Sequence, residues 1–92
     1  MALLSDEQIA SGLEGQEWRR EDDALVREWR FADFRAAIAF VERVAEVAEA
    51  SNHHPDILVH GWNKVRLTLS THSEGGITAA DLALAQRLDA LG

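Results

Sequence analysis

From Val65 to Thr71 the chain alternates with a period of two, Val65, Leu67 and Leu69 against Arg66, Thr68 and Ser70. Successive side chains of extended backbone point to opposite faces, so this segment reads as a strand with one face buried and the other in water. Such a strand needs neighbours for its backbone groups and a second layer for its apolar face. Ile57 to Trp62 reads as the preceding strand, and the short gap around Asn63 as a tight hairpin. Ala24 to Arg30 is a further strand, preceded across the polar turn Glu21-Asp22-Asp23 by a short one beginning at Trp18. It sets Leu25, Arg27 and Trp29 against Val26, Glu28 and Arg30, and neither face is purely apolar.

The covering layer is helical. Asp33 is placed as the N-cap of a long helix, about Phe34 to Ala50. Phe34, Ala37, Ile38, Val41, Val44, Ala45 and Ala48 form its expected buried stripe, with Glu42, Arg43, Glu46 and Glu49 in water. Ser51-Asn52 and Pro55 end it, because proline disfavours helical geometry in the residue before it. Ser5 with Gln8 forms a capping box for a first short helix, with Leu4 and Ile9 as its staple and Gly12 and Gly15 closing it. Thr78 with Asp81 does the same for a last helix, stapled by Ile77 and Leu82 and buried along Leu82, Ala85 and Leu88. The order is α-β-β-α-β-β-α. It predicts an α+β fold, a single domain over residues 1–92, with a four-stranded antiparallel sheet and three helices packed on one face.

At 92 residues only one domain and a modest core are available, which self-association would reinforce. No apolar run reaches the length of a membrane span, and Met1 to Gln8 has no leader pattern, so a cytoplasmic setting is expected. The chain has no cysteine, which excludes disulfides and thiolate metal sites. A net charge of −7 speaks against direct nucleic-acid binding but not against a neutral heterocycle.

Three of the four histidines lie at element ends. A hairpin centred near Asn63 would set His54 opposite His72, with His53 adjacent. Asp81 returns on the first turn of the last helix, and Glu49 and Asn52 close the long one. Histidine titrates near neutrality and gives or takes a proton, and a nearby carboxylate orients or charges it. The plainer readings are a solvated histidine pair, an exposed His72, an Asp81 that only caps, and a His60 on the strand surface. His53, His54, His72 and Asp81 also offer zinc-type donors, but adjacent residues in extended backbone point apart, which argues against a shared ion.

Glu49-x-x-Asn52-His53-His54-Pro55, Asn63-Lys64-Val65, Leu67-Thr68-Leu69-Ser70-Thr71-His72 and Gly76-Ile77-Thr78-x-x-Asp81 resemble the pterin-4a-carbinolamine dehydratases. Phe31-x-Asp33-Phe34, Ala37 and Phe40 fit the same pattern. The resemblance implies dehydration of 4a-hydroxytetrahydropterins, products of aromatic amino-acid hydroxylases, to the quinonoid dihydropterin, within tetrahydrobiopterin recycling. It implies no metal and no cofactor beyond the pterin substrate. His53, His54 and His72 fall on the family's catalytic histidines and Asp81 on its helix-start aspartate, with Glu49, Asn52 and Asp81 expected to bind substrate. The expected division gives proton transfer to His54 and His72 and positioning to His53. A homodimer paired through sheets or a homotetramer through helices is implied. The alternative it carries is a non-enzymatic dimerisation cofactor.

Three positions depart from that pattern. Asn52 stands where some members have aspartate, and Ala80 where some have arginine. The stretch from Pro55 to Val65 is one residue longer, and a bulge at Gly61 is the expected remedy, with Trp62 near the family's usual tyrosine.

Overall fold

The computed structural model describes residues 2–91. The elements follow in the expected order: α1 (Asp6–Gly12), β1 (Arg19–Glu21), β2 (Ala24–Arg30), α2 (Phe34–Ser51), β3 (Asp56–His60), β4 (Lys64–Leu69) and α3 (Ala79–Asp89). A single 3₁₀ turn, His72–Glu74, lies between β4 and α3. The four strands form one antiparallel sheet in the order β1-β2-β4-β3. The most regularly alternating segment therefore lies inside the sheet, with β3 at an edge.

Register fixes which residues share a face. Leu25, Arg27 and Trp29 pair with Leu69, Leu67 and Val65, and Ile57 and Val59 continue the same rows on β3. Leu25, Trp29, Val65, Leu67 and Leu69 join Ile9 of α1, Ala37, Phe40 and Val44 of α2, and Leu84, Ala85 and Leu88 of α3 in one core cluster. The helices thus cover this face. Full burial of a side chain such as Phe40 or Leu67 contributes about 1.5–3 kcal/mol, which makes these rows the main source of stability. Gly12 lets α1 approach α3 closely, since a β-carbon there would lie 2.7 Å from Leu82 Cδ1.

All three helix caps are as expected. Ser5 and Thr78 each form a reciprocal capping box, with Gln8 and Asp81, and Asp33 accepts from the Ala36 amide. The stripe of α2 is not as expected. Ala37, Phe40, Val44 and Ala48 are buried, whereas Phe34 is 55% exposed and Ala45 also faces water. The helix carries apolar residues over more than one face, and Phe40 decides the orientation by packing its ring against Trp29 and Phe31 at 4.9 and 5.0 Å. In α3, Leu84 joins the stripe and Leu82 is only partly buried.

The hairpin also differs. β3 ends at His60, which pairs with Lys64, so the turn centres on Trp62. Gly61 and Trp62 both adopt positive φ, 55° and 59°. The extra residue is taken up in this turn, not in a strand bulge at Gly61. Asn63 is the last residue of this turn and ties it to Phe31: Nδ2 donates to the Phe31 carbonyl (3.0 Å), and the Phe31 amide donates back to the Asn63 carbonyl (2.8 Å). With this register, extrapolation of β3 would bring His54 level with Ser70. His72 lies beyond the strand, so the expected His54–His72 pairing does not occur.

A polar clamp closes the other end of the core. Asp89, at the end of α3, accepts from Trp18 Nε1 (2.7 Å) and pairs with Arg27 (2.6 Å), whose guanidinium lies 4.3 Å from the Trp29 ring centre.

Candidate active site

The site is built where the C-terminus of α2, the end of β4 and the N-terminus of α3 meet. Asn52 ends α2 in the left-handed region, φ 50° and ψ 40°. That turn folds the chain back so that the His53 amide donates to the Ala48 carbonyl (3.2 Å), closing the orphan carbonyls of the last turn. His53 is thereby held against the helix end. Pro55 then commits the chain to extended geometry and β3 begins one residue later.

Asp81 approaches from the third position of α3 and is fully buried. Its two carboxyl oxygens do different work. Oδ2 accepts from the Thr78 amide (2.9 Å) and the Thr71 hydroxyl (2.8 Å), and Oδ1 lies 2.6 Å from His53 Nε2. The capping reading is correct and incomplete, because the same carboxyl also holds an imidazole. The His53 side chain is 18% exposed, so one edge of a carboxylate-bound ring reaches the surface.

His54, the next residue, points outward and hydrogen-bonds Glu49 on the last turn of α2. Both side chains are largely in solvent, which screens their attraction. His72 opens the 3₁₀ turn directly after Thr71 and is exposed. The Thr71 amide and carbonyl fix that turn, the amide donating to the Gly76 carbonyl and the carbonyl accepting from the Glu74 and Gly75 amides. Asn52 is exposed, and its backbone amide is used on the Ala48 and Glu49 carbonyls.

Two pairs are thus brought together, His53 with Asp81 and His54 with Glu49, while His72 joins them through its neighbour Thr71. Sequence reasoning identified the Thr78–Asp81 capping box but not the Thr71 hydroxyl as a further partner of the carboxyl. The signal for Thr78 was present in the capping box. Thr71 had none, because its role depends on where α3 packs. His60 lies outside this rim, hydrogen-bonded to Glu28 on the sheet's other face. Among the described residues, no group of three or more histidine, cysteine, aspartate or glutamate side chains is arranged to hold a metal ion.

A carboxylate-held imidazole with one edge at the surface suits proton transfer to and from a small molecule. The family model for pterin 4 alpha carbinolamine dehydratase matches residues 2–91. The chain belongs to this family. Pterin-4-alpha-carbinolamine dehydratases so named provisionally in Thermomicrobium roseum and Nocardia farcinica are 55% and 51% identical to it. These matches cover 96% and 97% of this chain and 95% and 94% of theirs. One from Metallosphaera sedula is 47% identical, over 99% of this chain and 95% of its own.

Among solved structures of the pterin dehydratase type, a transcriptional coactivator/pterin dehydratase from Brucella melitensis superposes with a TM-score of 0.89. It is 33% identical, and the match covers 97% of both chains. A pterin dehydratase-like protein described as a RuBisCO assembly factor in the alpha-carboxysome gives a TM-score of 0.68. That likeness is at 29% identity, over 83% of this chain and 89% of the other.

Proposed function

We propose that the protein dehydrates a 4a-hydroxytetrahydropterin, 4a-hydroxytetrahydrobiopterin being the representative substrate, to the quinonoid dihydropterin and water by histidine acid–base catalysis. In the proposed reaction one imidazolium protonates the 4a-hydroxyl as the C4a–O bond breaks. A second imidazole takes the proton from N5 as the C4a=N5 bond forms. No electrons are exchanged, and the histidines regain their starting states by proton exchange with water.

The observation that carries this reading is the buried Asp81 carboxyl on His53. It favours His53 as the base, because the imidazolium formed on taking the N5 proton lies against a carboxylate of low solvent access. His72 is then the acid at the neighbouring turn. His54 with Glu49, and Asn52 beside them, bind the heterocycle. This moves proton transfer from His54 to His53 relative to the sequence-based division, for an electrostatic reason: solvent screens the His54–Glu49 pair more than the His53–Asp81 pair. A cytoplasmic place in pterin recycling beside an aromatic amino-acid hydroxylase fits this chemistry, with no further cofactor needed. Among the described residues no helix is long and apolar enough to cross a membrane.

Self-association belongs to the same reading. β3 is an edge strand that exposes Ile57 (39%) and Leu58 (50%), and a second copy would protect such an edge. The alternative, a partner-binding role without catalysis, draws on the assembly-factor relative. The two are separated by following 4a-carbinolamine absorbance with purified protein in a chelator-containing buffer. Acceleration over buffer supports the dehydratase, and decay at the buffer rate leaves the partner role standing.

A further inference from the structure

Four contacts around Asp81 form a chain in which every proton can be assigned. As a carboxylate, Asp81 only accepts. The Thr71 hydroxyl therefore spends its single proton on Asp81 Oδ2, at 2.8 Å. Thr71 Oγ1 and Thr78 Oγ1 are 2.8 Å apart, and with the Thr71 proton already used, Thr78 must be the donor between them. Thr78 Oγ1 in turn accepts from the Ala80 amide, at 3.2 Å. At the far end, Asp81 Oδ1 accepts from His53 Nε2 at 2.6 Å. The direction is the same throughout: amide to Thr78, Thr78 to Thr71, Thr71 to carboxylate, with His53 donating from the other side.

We propose that Thr71 is a positioning residue whose hydroxyl, acting through Asp81, locks His53 in the Nε2–H tautomer and leaves Nδ1 as its acid–base atom. The argument is geometric. Asp81 can rotate about its Cα–Cβ and Cβ–Cγ bonds unless donors hold its carboxyl from more than one direction. The Thr78 amide alone anchors one point, and the Thr71 hydroxyl supplies a second from a different element. With two donors on Oδ2, the carboxyl plane is fixed and Oδ1 can serve His53. Thr71 also bears the backbone bonds that close the His72 turn. One residue thus ties together the segments carrying His53 and His72.

The catalytic consequence rests on the function proposed above, whereas the tautomer does not. The test uses the full-length protein labelled with ¹⁵N-histidine and long-range ¹H–¹⁵N correlation spectra of His53 in Thr71→Val and Thr71→Ser. Wild type and Thr71→Ser are expected to show one Nε2–H tautomer. Thr71→Val, which keeps the shape and removes the hydroxyl, is expected to show a mixture or the Nδ1–H form. Thr71→Ala makes the same prediction with no added atoms, should the valine protein not fold. If the reading of function is right, kcat falls about tenfold in Thr71→Val and is restored in Thr71→Ser, with KM little changed. An unaltered Nε2–H signal in both hydroxyl-free variants overturns the proposal. Wild-type protein that shows the tautomer but no dehydration would overturn the function and not this assignment.

Discussion

Asp81 Oδ1 and His53 Nε2 lie 2.6 Å apart although twenty-eight residues separate them in sequence. The contact exists because two local devices converge, a left-handed helix end at Asn52 and a capping box at Thr78. Each is explained within the fold by local backbone hydrogen bonding. Their packing turns two structural solutions into a candidate catalytic pair.

Substituting Asp81 separates its two roles. In Asp81→Asn the amide oxygen can still accept from Thr71 and the Thr78 amide, leaving Nδ2 to donate toward His53 and force the wrong tautomer. Stability should change by under about 1 kcal/mol while turnover falls on the order of a hundredfold or more. Asp81→Ala strands buried donors as well and should cost about 2 kcal/mol or more in urea unfolding. Equal destabilisation by both variants would show that the amide does not replace the carboxyl as a cap.

The clamp at Asp89 is expected to matter for stability and little for chemistry. Asp89→Ala would leave Arg27 partly buried without its counter-ion and Trp18 Nε1 without an acceptor. A loss of about 2–3 kcal/mol is expected, below that of a fully buried pair because both side chains keep some solvent contact. Turnover per folded molecule should stay within about twofold. Denaturant titration with kinetics at low denaturant checks both halves.

Glu28 provides a pH test on the sheet's other face. The His60 hydrogen bond, ahead of the opposing effect of burial and the smaller attractions of His60, Arg66 and Lys64, holds its carboxyl below the usual range. A folded-state value below the unfolded one contributes stability above the unfolded carboxylate range. That contribution is lost as pH falls through the folded value. Glu28→Gln should therefore be slightly less stable than wild type at about pH 5, with the gap closing toward about pH 3. A gap that widens on acidification contradicts the assignment.

Asn52 tests the helix end. Its left-handed φ of 50° suits glycine or asparagine and penalises other residues. Asn52→Ala should cost about 1 kcal/mol, while Asn52→Gly should cost less. A reversed order in thermal unfolding would mean that the amide side chain, not the backbone, sets the preference.

Much of this was legible from local chemistry. The Val65–Leu69 alternation, the caps at Ser5, Asp33 and Thr78, and the element order depend on neighbours within a few residues. What was not legible depends on distant partners. The hairpin centre lies at Trp62, in a turn that Asn63 ties to Phe31, across another turn of the fold. The buried face of α2 followed Phe40, chosen by the rings of Trp29 and Phe31. For the candidate site, residue identities were visible, but the link from Thr71 to Asp81 to His53 was not, since it spans three elements.

The most direct measurement compares single-histidine variants in the dehydration of 4a-hydroxytetrahydrobiopterin. His53→Ala should lower kcat at least about a hundredfold, whereas His54→Ala should lower kcat/KM by about tenfold or less, mainly by raising KM. A His53→Ala protein that turns over at nearly the wild-type rate would contradict the account.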